Sequence, residues 1–396
     1  MKNHRLLILP DASQMGSSGG TVTQTIISFV KKSEYECVCV LCSDIEEESF
    51  VDGVFYVPDL HYSGSTNYFP QRYANLFDRV VKKYRPTHVF FVGSITNKPL
   101  CYLQKALNLH LKVGVFIFMQ DFYCAKIYAN DNYGPCRKCL DNGLLYSLIG
   151  KCGAKNLGTI RLLDRALTRK RLQCLLRKVN YLGTSTEEQI NFYKEFGVDE
   201  KHLFKLPLPF DCSKTKDLNV SRGDYFLGIA QNRIEKGFQF IPAILEHTGA
   251  KLVLAYYNEK EREKAQNDSL FSKFIKSGQL SLVVASWNSG LGELIANSQG
   301  IVIPSIWPTT TEYGFLEALS FGKPVIAFNI SAHKEFLSDK INGYLSPIGD
   351  WERFGHNMDE INVLSDAHYS QLCNNVKLLY EGLTNYGGWI EYFKNF

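Results

Sequence analysis

Short apolar runs alternate with helical patterns along nearly all of the 396 residues of this chain. Runs such as HVFFVG (88–93) and GIVIPS (300–305) are continuously apolar, and stretches such as QRYANLFDRVVKKY (71–84) lie between them. Continuous apolar strands separated by helices are typical of a parallel sheet with helices on both faces. The pattern therefore predicts an α/β fold. The other predicted strands are RLLILPD (5–11), YECVCVLC (35–42), GVFYVP (53–58), KVGVFIFMQD (112–121), NYLGTS (180–185), YFLGIA (225–230), KLVLAYY (251–257), LSLVVAS (280–286) and KPVIAF (323–328).

The alternation is interrupted once, by a stretch rich in proline and polar residues at 203–224. A chain of this length usually forms more than one core, so the stretch is interpreted as a connection between domains. We predict a first doubly wound domain at 1–215 and a second at 216–380, with an amphipathic helix in 381–396. Ligands of such sheets bind at the carboxyl ends of the strands, which is where we expect a site.

Composition narrows the class of protein. The net charge of +4 is too small to indicate nucleic-acid binding. The start, MKNHRLLILPDASQ, lacks the long apolar stretch of a signal peptide, and no segment approaches the roughly 18 apolar residues of a membrane span. A cytoplasmic protein is predicted, with its eleven cysteines as thiols or metal ligands.

The stretch PSIWPTTTEYGFLEALSFGKPVIAF (304–328) contains the strongest candidate site. A buried strand ends in a loop, and a helix then starts near Tyr313 and Gly314, whose backbone N–H groups would suit an anion such as a diphosphate. Glu317 follows about one turn into the helix. A carboxylate there can accept hydrogen bonds from a ribose diol, or it can merely complement the helix dipole.

This stretch resembles the donor-binding signature of retaining glycosyltransferases of family 4, which have the GT-B fold. The signature is a Glu, seven residues and a second Glu, followed by Ala and Gly-x-Pro-Val-Ile; LEALSFGKPVIAF matches its second half, with Glu317 as the second acid. Thr309 stands where the first acid is expected. The resemblance implies that Glu317 holds the nucleotide ribose. It also implies that Thr309, Thr311 or Glu312 contacts the transferred sugar.

The same resemblance implies two Rossmann-like domains that face each other across a cleft, with the last helix crossing back to the first domain. YFLGIAQNRIEKGFQFIPAIL (225–245) is similar to the family's segment with an Arg and a Lys-Gly, which stabilise the leaving diphosphate. Lys236 and Gly237 fit, and Lys236 is a predicted catalytic residue. Gln231 stands where the family's Arg is usual, so Arg233 is the candidate substitute. Two solvated surface cations are the alternative.

Two segments of the first domain are further candidates. GSSGG (16–20) is a glycine-rich turn between a strand and a helix, and the resemblance places Gly19 and Gly20 on the acceptor or phosphate side. Gln120-Asp121 stands where the family often has His-Asp. Gln120 cannot transfer a proton, so the departing phosphate would take the proton of the acceptor. Asp121 is a predicted catalytic residue or a structural loop cap.

Four cysteines lie close together within a predicted insertion at 122–155. Cys124, Cys136, Cys139 and Cys152 include one C-x2-C pair, and four thiolates can form a tetrahedral structural zinc site. Four unlinked thiols are the alternative. The cysteines of the strand YECVCVLC are interpreted as core residues. With no pair of acids at D-x-D spacing, no catalytic divalent metal is expected.

TIRLLDRALTRKRLQCLLRKVN (159–180) has the pattern of a basic amphipathic helix. Such a face can lie on anionic lipid headgroups at the inner membrane surface, or the helix can simply pack on its own domain. The first domain binds the acceptor in the resembled family, and many acceptors there are linked to lipids.

The resemblance implies a retaining glycosyltransferase of the hexosyltransferase type. It would transfer a sugar from a nucleoside diphosphate donor to a glycan or lipid-linked acceptor, in the synthesis of a cell-surface polysaccharide or glycoconjugate. The Thr at 309 and the Gln at 120 favour an alternative, a non-catalytic glycosyltransferase-like subunit that binds acceptor or stabilises an active enzyme. An epimerase or phosphorylase of the same fold is a third hypothesis, although no cofactor-lysine signature of a phosphorylase is present.

Overall fold

The computed structural model describes the chain except for residues 1–3, 14–17, 34, 62–69, 95–97, 119–158, 211–217, 232 and 309. The chain divides into two compact units. The first comprises its described residues up to 210 together with Asn385–Phe396, and the second comprises those from 218 to Thr384. The predicted boundaries were at 215 and 380, five and four residues from these.

The first unit is built on an eight-stranded sheet with the order β3-β4-β2-β1-β5-β6-β7-β8. All pairs are parallel except β3 with β4, which is antiparallel. The strands are β1 His4–Pro10, β2 Tyr35–Cys42, β3 Ser49–Val51, β4 Val54–Pro58, β5 His88–Val92, β6 Lys112–Phe116, β7 Tyr181–Thr184 and β8 Leu203–Lys205.

The helices of the first unit bury one face each against this sheet. In the helix Pro70–Tyr84, the buried residues recur at helical spacing, with Tyr73, Phe77 and Val80 among them. The other helices of this unit are Ser18–Val30, Leu100–Asn108, Thr159–Leu176, Glu187–Glu195 and Gly387–Asn395, with a short 3₁₀ helix at Glu200–His202.

The second unit is built on a six-stranded sheet, and all of its strand pairs are parallel. Its order is β11-β10-β9-β12-β13-β14. The strands are β9 Tyr225–Ile229, β10 Lys251–Tyr256, β11 Leu280–Val284, β12 Gly300–Ile303, β13 Val325–Phe328 and β14 Gly343–Ser346.

Helices connect these strands and complete a second core, which is separate from that of the first unit. The helices are Ile241–Leu245, Glu259–Gln266, Ser269–Lys276, Leu291–Ala296, Tyr313–Ser320, Ser331–Phe336, Trp351–Asn362 and Asp366–Leu383, with 3₁₀ turns at Ile234–Lys236 and Phe238–Phe240.

The strand order of the second sheet has a functional consequence. β9 is the first strand of this unit in the chain and β12 the fourth, yet they are neighbours, so the order of the sheet reverses between them. In open α/β sheets, ligands bind outside the carboxyl ends of the strands at such a switch point. The two loops concerned are 230–237, which contains Lys236, and 304–312, which contains Glu312.

The prediction of two doubly wound α/β domains is confirmed. The predicted strand 112–121 is shorter than expected, since β6 ends at Phe116. The predicted helix 159–180 ends at Leu176, because Asn180 pairs with the edge of β6 through hydrogen bonds to both the N–H and the C=O of Val113.

The helix Thr159–Leu176 packs on its own unit through Leu172, Leu175 and Leu176, which belong to the first core. Leu167 of the same helix is 57% exposed. This packing agrees with the alternative of a helix that packs on its own domain, and a contact with a membrane surface stays a prediction. Among the described residues, no helix has the length and apolar character needed to cross a bilayer.

Candidate active site

Three neighbouring strands of the second sheet bring polar side chains to the same edge. Lys236 lies in the loop after β9, Glu312 in the loop after β12, and His333 soon after the end of β13. Because parallel strands share the edge at which they end, residues that are far apart in the chain meet there. The candidate site is therefore contained in the second unit.

An ion pair between Lys236 and Glu312 forms the centre of this site. Lys236 Nζ lies 2.9 Å from Glu312 Oε2, and the two side chains are only 20% and 11% exposed. Burying two charges is unfavourable unless they are paired, so neither side chain is replaceable on its own without leaving a buried charge. Cations of this kind stabilise the negative charge of a leaving group.

Close backbone packing fixes the position of Lys236. Gly237 ends the 3₁₀ turn Ile234–Lys236 at a φ of 72°, in the left-handed region that favours glycine. A Cβ atom at Gly237 would lie 1.8 Å from the carbonyl oxygen of Pro304. The carbonyl of Glu235 also accepts a hydrogen bond of 3.1 Å from the N–H of Ile306. The loops after β9 and β12 are therefore held together, and the ion pair with them.

The carboxyl of Glu312 is ionised at neutral pH. Burial raises the pKa of this group, but Lys236, with His333 and Ser305, outweighs burial and lowers the pKa below its ordinary value. Its Oε2 faces Lys236, whereas Oε1 is buried and has no hydrogen-bond partner among the described residues. The Ser305 hydroxyl also interacts with this carboxylate, but Oε1 has no well-aligned hydrogen bond from a described residue, so Glu312 can accept a further hydrogen bond.

His333 is a member of this cluster that sequence reasoning missed. Its side chain is 1% exposed, and its ring lies 5.5 Å from that of Phe315. Burial lowers the pKa of His333, although the Glu312 carboxylate raises it, so the imidazole is neutral at pH 7. The available signal was a His in SAHKEF, directly after the predicted strand KPVIAF.

Glu317 is a second buried acid of this region. It lies in the helix Tyr313–Ser320, which begins directly after Glu312, and it is 5% exposed. The indole N–H of Trp287 donates a hydrogen bond of 2.8 Å to Glu317 Oε1. Trp287 lies in the loop after β11, and Tyr257 directly follows β10. Tyr257 is 45% exposed and interacts electrostatically with Glu317. The carboxylate is therefore approached by loops from two further strands, which the sequence motif did not indicate.

The start of this helix agrees with the prediction from sequence, since the helix begins at Tyr313. Gly314 is its second residue, and a Cβ atom there would meet Ile229 Cδ1 at an ordinary 3.7 Å. Packing within the second unit therefore does not require glycine at 314. A ligand that approaches the backbone closely would require it.

The other predicted residues of this loop are less closely connected with the ion pair. The Arg233 side chain is 68% exposed, and its guanidinium lies 3.9 Å from the carboxylate of Glu235. The Thr311 hydroxyl donates to the carbonyl of Thr310. Thr309 lies outside the described residues. The predictions for Arg233, Thr309 and Thr311 stay predictions.

In the first unit, Gly19 and Gly20 lie in the first turn of the helix Ser18–Val30, which begins earlier than the predicted start after GSSGG. Their predicted role on the acceptor or phosphate side stays a prediction. A Cβ atom at Gly19 would lie 3.6 Å from that of Ala12, so this turn packs against the end of β1. β1 and β5 are neighbours at the switch point of this sheet. Gln120 and Asp121 lie outside the described residues, so their predicted roles are untested.

The predicted zinc ligands Cys124, Cys136, Cys139 and Cys152 also lie outside the described residues, and the zinc site stays a prediction. Within the described ranges, no group of three or more metal-binding side chains occurs. Of the cysteines in β2, Cys39 and Cys42 are buried, as interpreted from their strand, whereas Cys37 is only half-buried. Burial raises the pKa of the Cys42 thiol to about 11, which keeps it protonated.

Comparison with known proteins identified one matching family model and many solved structures that share the same fold. The family model described as glycosyl transferases group 1 matches residues 231–362, which include Lys236, Glu312, Glu317 and His333. No curated protein matches the chain.

Solved structures match over the whole length. Sucrose-phosphate synthase from Thermosynechococcus elongatus is 11% identical with a TM-score of 0.70, and the match covers 99% of this chain and 98% of that one. HepE from Anabaena, in complex with UDP-glucose, is 9% identical with a TM-score of 0.65 and the same coverage. WaaG, a glycosyltransferase involved in lipopolysaccharide biosynthesis, is 12% identical with a TM-score of 0.62, covering 98% and 99%.

At these identities the structural matches establish the fold, which is GT-B as predicted. The activity rests on the family match, and it concerns the unit that contains the ion pair. The prediction of a glycosyltransferase is confirmed, and the candidate active site lies within residues 231–362, the part of the chain that the family model of glycosyl transferases group 1 matches.

Proposed function

We propose that this chain is a retaining glycosyltransferase of family 4, which transfers a sugar from a nucleoside diphosphate to an acceptor. The buried Lys236–Glu312 pair, at the start of the helix that carries Glu317, is the observation that carries the proposal. Lys236 provides a cation for a diphosphate, and Glu312 and Glu317 provide carboxylates for hydroxyl groups of the sugar and the ribose. These groups lie near the switch point of one sheet. This combination matches the parts of a nucleoside diphosphate sugar.

In the proposed complex, the diphosphate lies at Lys236 and at the helix start formed by Tyr313 and Gly314. Glu317 Oε1 already accepts the indole N–H of Trp287, so its position is fixed before ribose arrives. Arg233 approaches the diphosphate from the adjacent loop. Preorganised groups of this kind stabilise charge that develops in the transition state without reorganising.

The chemical step needs no proton carrier from the described residues. The bond between the anomeric carbon and the phosphate oxygen breaks, and the bond to the acceptor oxygen forms on the same face of the sugar. The proton of the acceptor hydroxyl moves to an oxygen of the departing phosphate. Lys236 and the helix start stabilise the negative charge on the diphosphate as the bond breaks.

Glu312 takes the place of the acid that the resemblance expects at 309. Its Oε1 is buried and has no well-aligned hydrogen bond from a described residue, which suits it to a hydroxyl of the transferred sugar. Its Oε2 holds Lys236 until a diphosphate competes for the ammonium group. Thr309 and Thr311 remain the other candidates for contacts with the sugar.

HepE was solved with UDP-glucose, and WaaG acts in lipopolysaccharide biosynthesis. These neighbours support UDP-sugars as the first donors to test. They also support a glycan or a lipid-linked acceptor, which we assign to the first unit, where Gly19, Gly20, Gln120 and Asp121 are the candidate residues. A cell-surface polysaccharide or glycoconjugate is the proposed product class.

The first test is thermal-shift binding with UDP, GDP, ADP, dTDP and their sugars, followed by turnover with the sugar nucleotide that binds. A ligand at a hundred times its Kd adds about 2.7 kcal/mol of stability. In turnover, Lys236→Ala is expected to lower kcat at least about 100-fold, because it removes a cation from the leaving group. Near-normal turnover of this variant would overturn the mechanism.

Because Lys236→Ala leaves Glu312 as a buried, unpaired charge, a second variant is needed. Lys236→Gln combined with Glu312→Gln removes both charges and keeps the side chains polar. It should fold and still lack turnover. Lys273→Ala is the matched control, since its ion pair with Glu246 is exposed, and turnover should not change. Absence of binding to every nucleotide would favour the non-catalytic subunit instead.

A further inference from the structure

The buried imidazole of His333 lacks a well-aligned hydrogen bond that would explain its burial. The backbone of Phe328 gives the ring a weak polar interaction, but neither ring nitrogen forms a well-aligned hydrogen bond with a described residue, and the side chain is 1% exposed. A buried polar group without a good partner lowers the stability of the folded state. A phenylalanine of similar shape would avoid this cost, so folding stability does not account for the histidine.

The surroundings of His333 connect it with the ion pair. Glu312 and Lys236 both act electrostatically on the His333 ring, and Glu312 and His333 follow the neighbouring strands β12 and β13. The ring of His333 also packs against Phe315, on the first turns of the helix that starts after Glu312. The buried Oε1 of Glu312 likewise has no well-aligned hydrogen bond from a described residue. Two buried polar groups without a good partner therefore occur at the carboxyl ends of β12 and β13.

The backbone before His333 is strained. Ser331, at the start of the helix Ser331–Phe336, has a φ of 45°, a left-handed conformation that is unfavourable for any residue with a Cβ atom. Strain of this kind is unfavourable and is concentrated at functional sites. The strained residue directs the chain from the end of β13 into the turn that buries His333. This is a second observation, independent of the ring nitrogens.

We propose that His333 recognises the transferred sugar, with one ring nitrogen donating to a sugar hydroxyl and the other accepting from one. The neutral imidazole provides one donor and one acceptor, and Glu312 Oε1 provides a further acceptor. Together they would select a sugar by the positions of its hydroxyl groups. A site that hydrogen-bonds a hydroxyl discriminates strongly against a ligand that lacks it. This inference rests on the proposed function.

The test separates the sugar from the nucleotide. Binding of the full-length protein is measured by calorimetry for UDP and UDP-glucose, and for the GDP, ADP and dTDP pairs, and the pair that binds the wild type is kept. His333→Phe preserves the aromatic packing on Phe315 but removes both polar atoms. It should leave the affinity for the nucleoside diphosphate within about twofold and weaken the sugar nucleotide at least about tenfold.

Two further variants complete the design. His333→Gln should recover part of the affinity for the sugar nucleotide, because its amide also has one donor group and one acceptor. His247→Gln changes an exposed histidine of the same unit and should change neither affinity. The melting temperature of His333→Phe should equal or exceed that of the wild type, since the nitrogens without a well-aligned hydrogen bond are removed.

The outcomes distinguish this inference from the proposal beneath it. If His333→Phe lowers the affinities for the diphosphate and the sugar nucleotide equally, or changes neither affinity, the inference that His333 recognises the sugar is wrong. The glycosyltransferase proposal then still stands. If its melting temperature drops by several degrees with unchanged affinities, His333 is structural. If the wild type binds no nucleotide at all, the proposed function fails and the inference fails with it.

Discussion

At the scale of single residues, the hydrogen bond from Trp287 to Glu317 is the contact with the clearest functional meaning. The indole Nε1–H donates a hydrogen bond of 2.8 Å to one oxygen of the carboxylate, and this contact fixes the orientation of the whole carboxylate group. The indole ring itself is stacked on Phe321 at 6.3 Å between centroids. Trp287 is therefore a positioning residue for the proposed ribose ligand.

Trp287→Phe is expected to weaken UDP about 3- to 10-fold, because the loss of one hydrogen bond to a charged group corresponds to about 1.5 kcal/mol or less at a partly exposed site. The effect should be smaller for the 2′-deoxy nucleotide, which lacks part of the diol. Calorimetry with both nucleotides measures this difference. Phe321→Leu keeps the N–H donor but alters the stacking, and an equal effect of this variant would show that ring packing, not the hydrogen bond, matters.

The sequence predicted some of these residues and not others, for a physical reason. Lys236, Glu312 and Glu317 stand in contiguous motifs whose chemistry can be read from residue type and spacing. His333 and Trp287 reach the site from loops after β13 and β11, so their roles depend on which strands are neighbours. That order becomes known only when the sheet is formed. Arg233 is predicted only as a substitute for the family's Arg, whose usual position holds Gln231, and its side chain is 68% exposed and 3.9 Å from Glu235.

At the scale of elements, the nine-residue helix Gly387–Asn395 packs on the first sheet through three buried aromatic side chains, Trp389, Tyr392 and Phe393. Trp389 is fully buried, and its indole N–H donates to the carbonyl of Pro207 at 2.7 Å. Phe116 and Phe90 surround its ring. Tyr386, just before the helix, receives a hydrogen bond of 3.0 Å from the N–H of Phe210. The end of the chain thereby packs on the first sheet and belongs to the first unit.

Trp389→Ala is expected to lower the free energy of unfolding of the first unit by about 3–5 kcal/mol, through lost burial and the cavity left behind. Urea unfolding followed by circular dichroism measures it. Trp389→Phe should lose less, because most of the ring packing remains. Glu391→Ala, on the exposed face of the same helix, should change the midpoint little. Similar midpoints for Trp389→Ala and Glu391→Ala would contradict this account.

Elements with a strong period were predicted well, and short ones were missed. The helix predicted at 71–84 is observed at Pro70–Tyr84, because its apolar residues recur at helical spacing. β3, Ser49–Val51, has three exposed residues and no alternation, so nothing in its sequence indicates a strand. Its pairing with β4 is what makes it one. The local sequence pattern is therefore sufficient to predict an element that buries a whole face. It is not sufficient for a strand that forms only because it pairs with a neighbour.

At the scale of the whole molecule, the restart of the strand–helix alternation predicted two units. A buried lysine joins the second unit to the segment that enters it from the first. Lys323 is 1% exposed, and its ammonium group donates to the carbonyls of Ser221 at 2.6 Å and Ser298 at 2.7 Å. It thus joins the entering segment to the chain just before β12. Burial lowers the pKa of Lys323 from 10.5 to about 8.

This shift gives the stability of the second unit a characteristic dependence on pH. Between about 8 and 10.5 the unfolded chain holds the proton of Lys323 while the folded protein has released it, so this group makes stability rise with pH. Relative to Lys323→Met, which cannot titrate, the wild type should therefore gain about 2–3 kcal/mol across this window. Unfolding of both proteins in urea at pH 7.5, 9 and 10 measures the difference, and the shared titration of tyrosines cancels. Lys273→Met, at an exposed ion pair, should show a difference that is nearly constant with pH up to 10. A constant difference for Lys323→Met as well would mean that the buried ammonium group keeps its proton throughout, held by the two carbonyls more strongly than burial disfavours it.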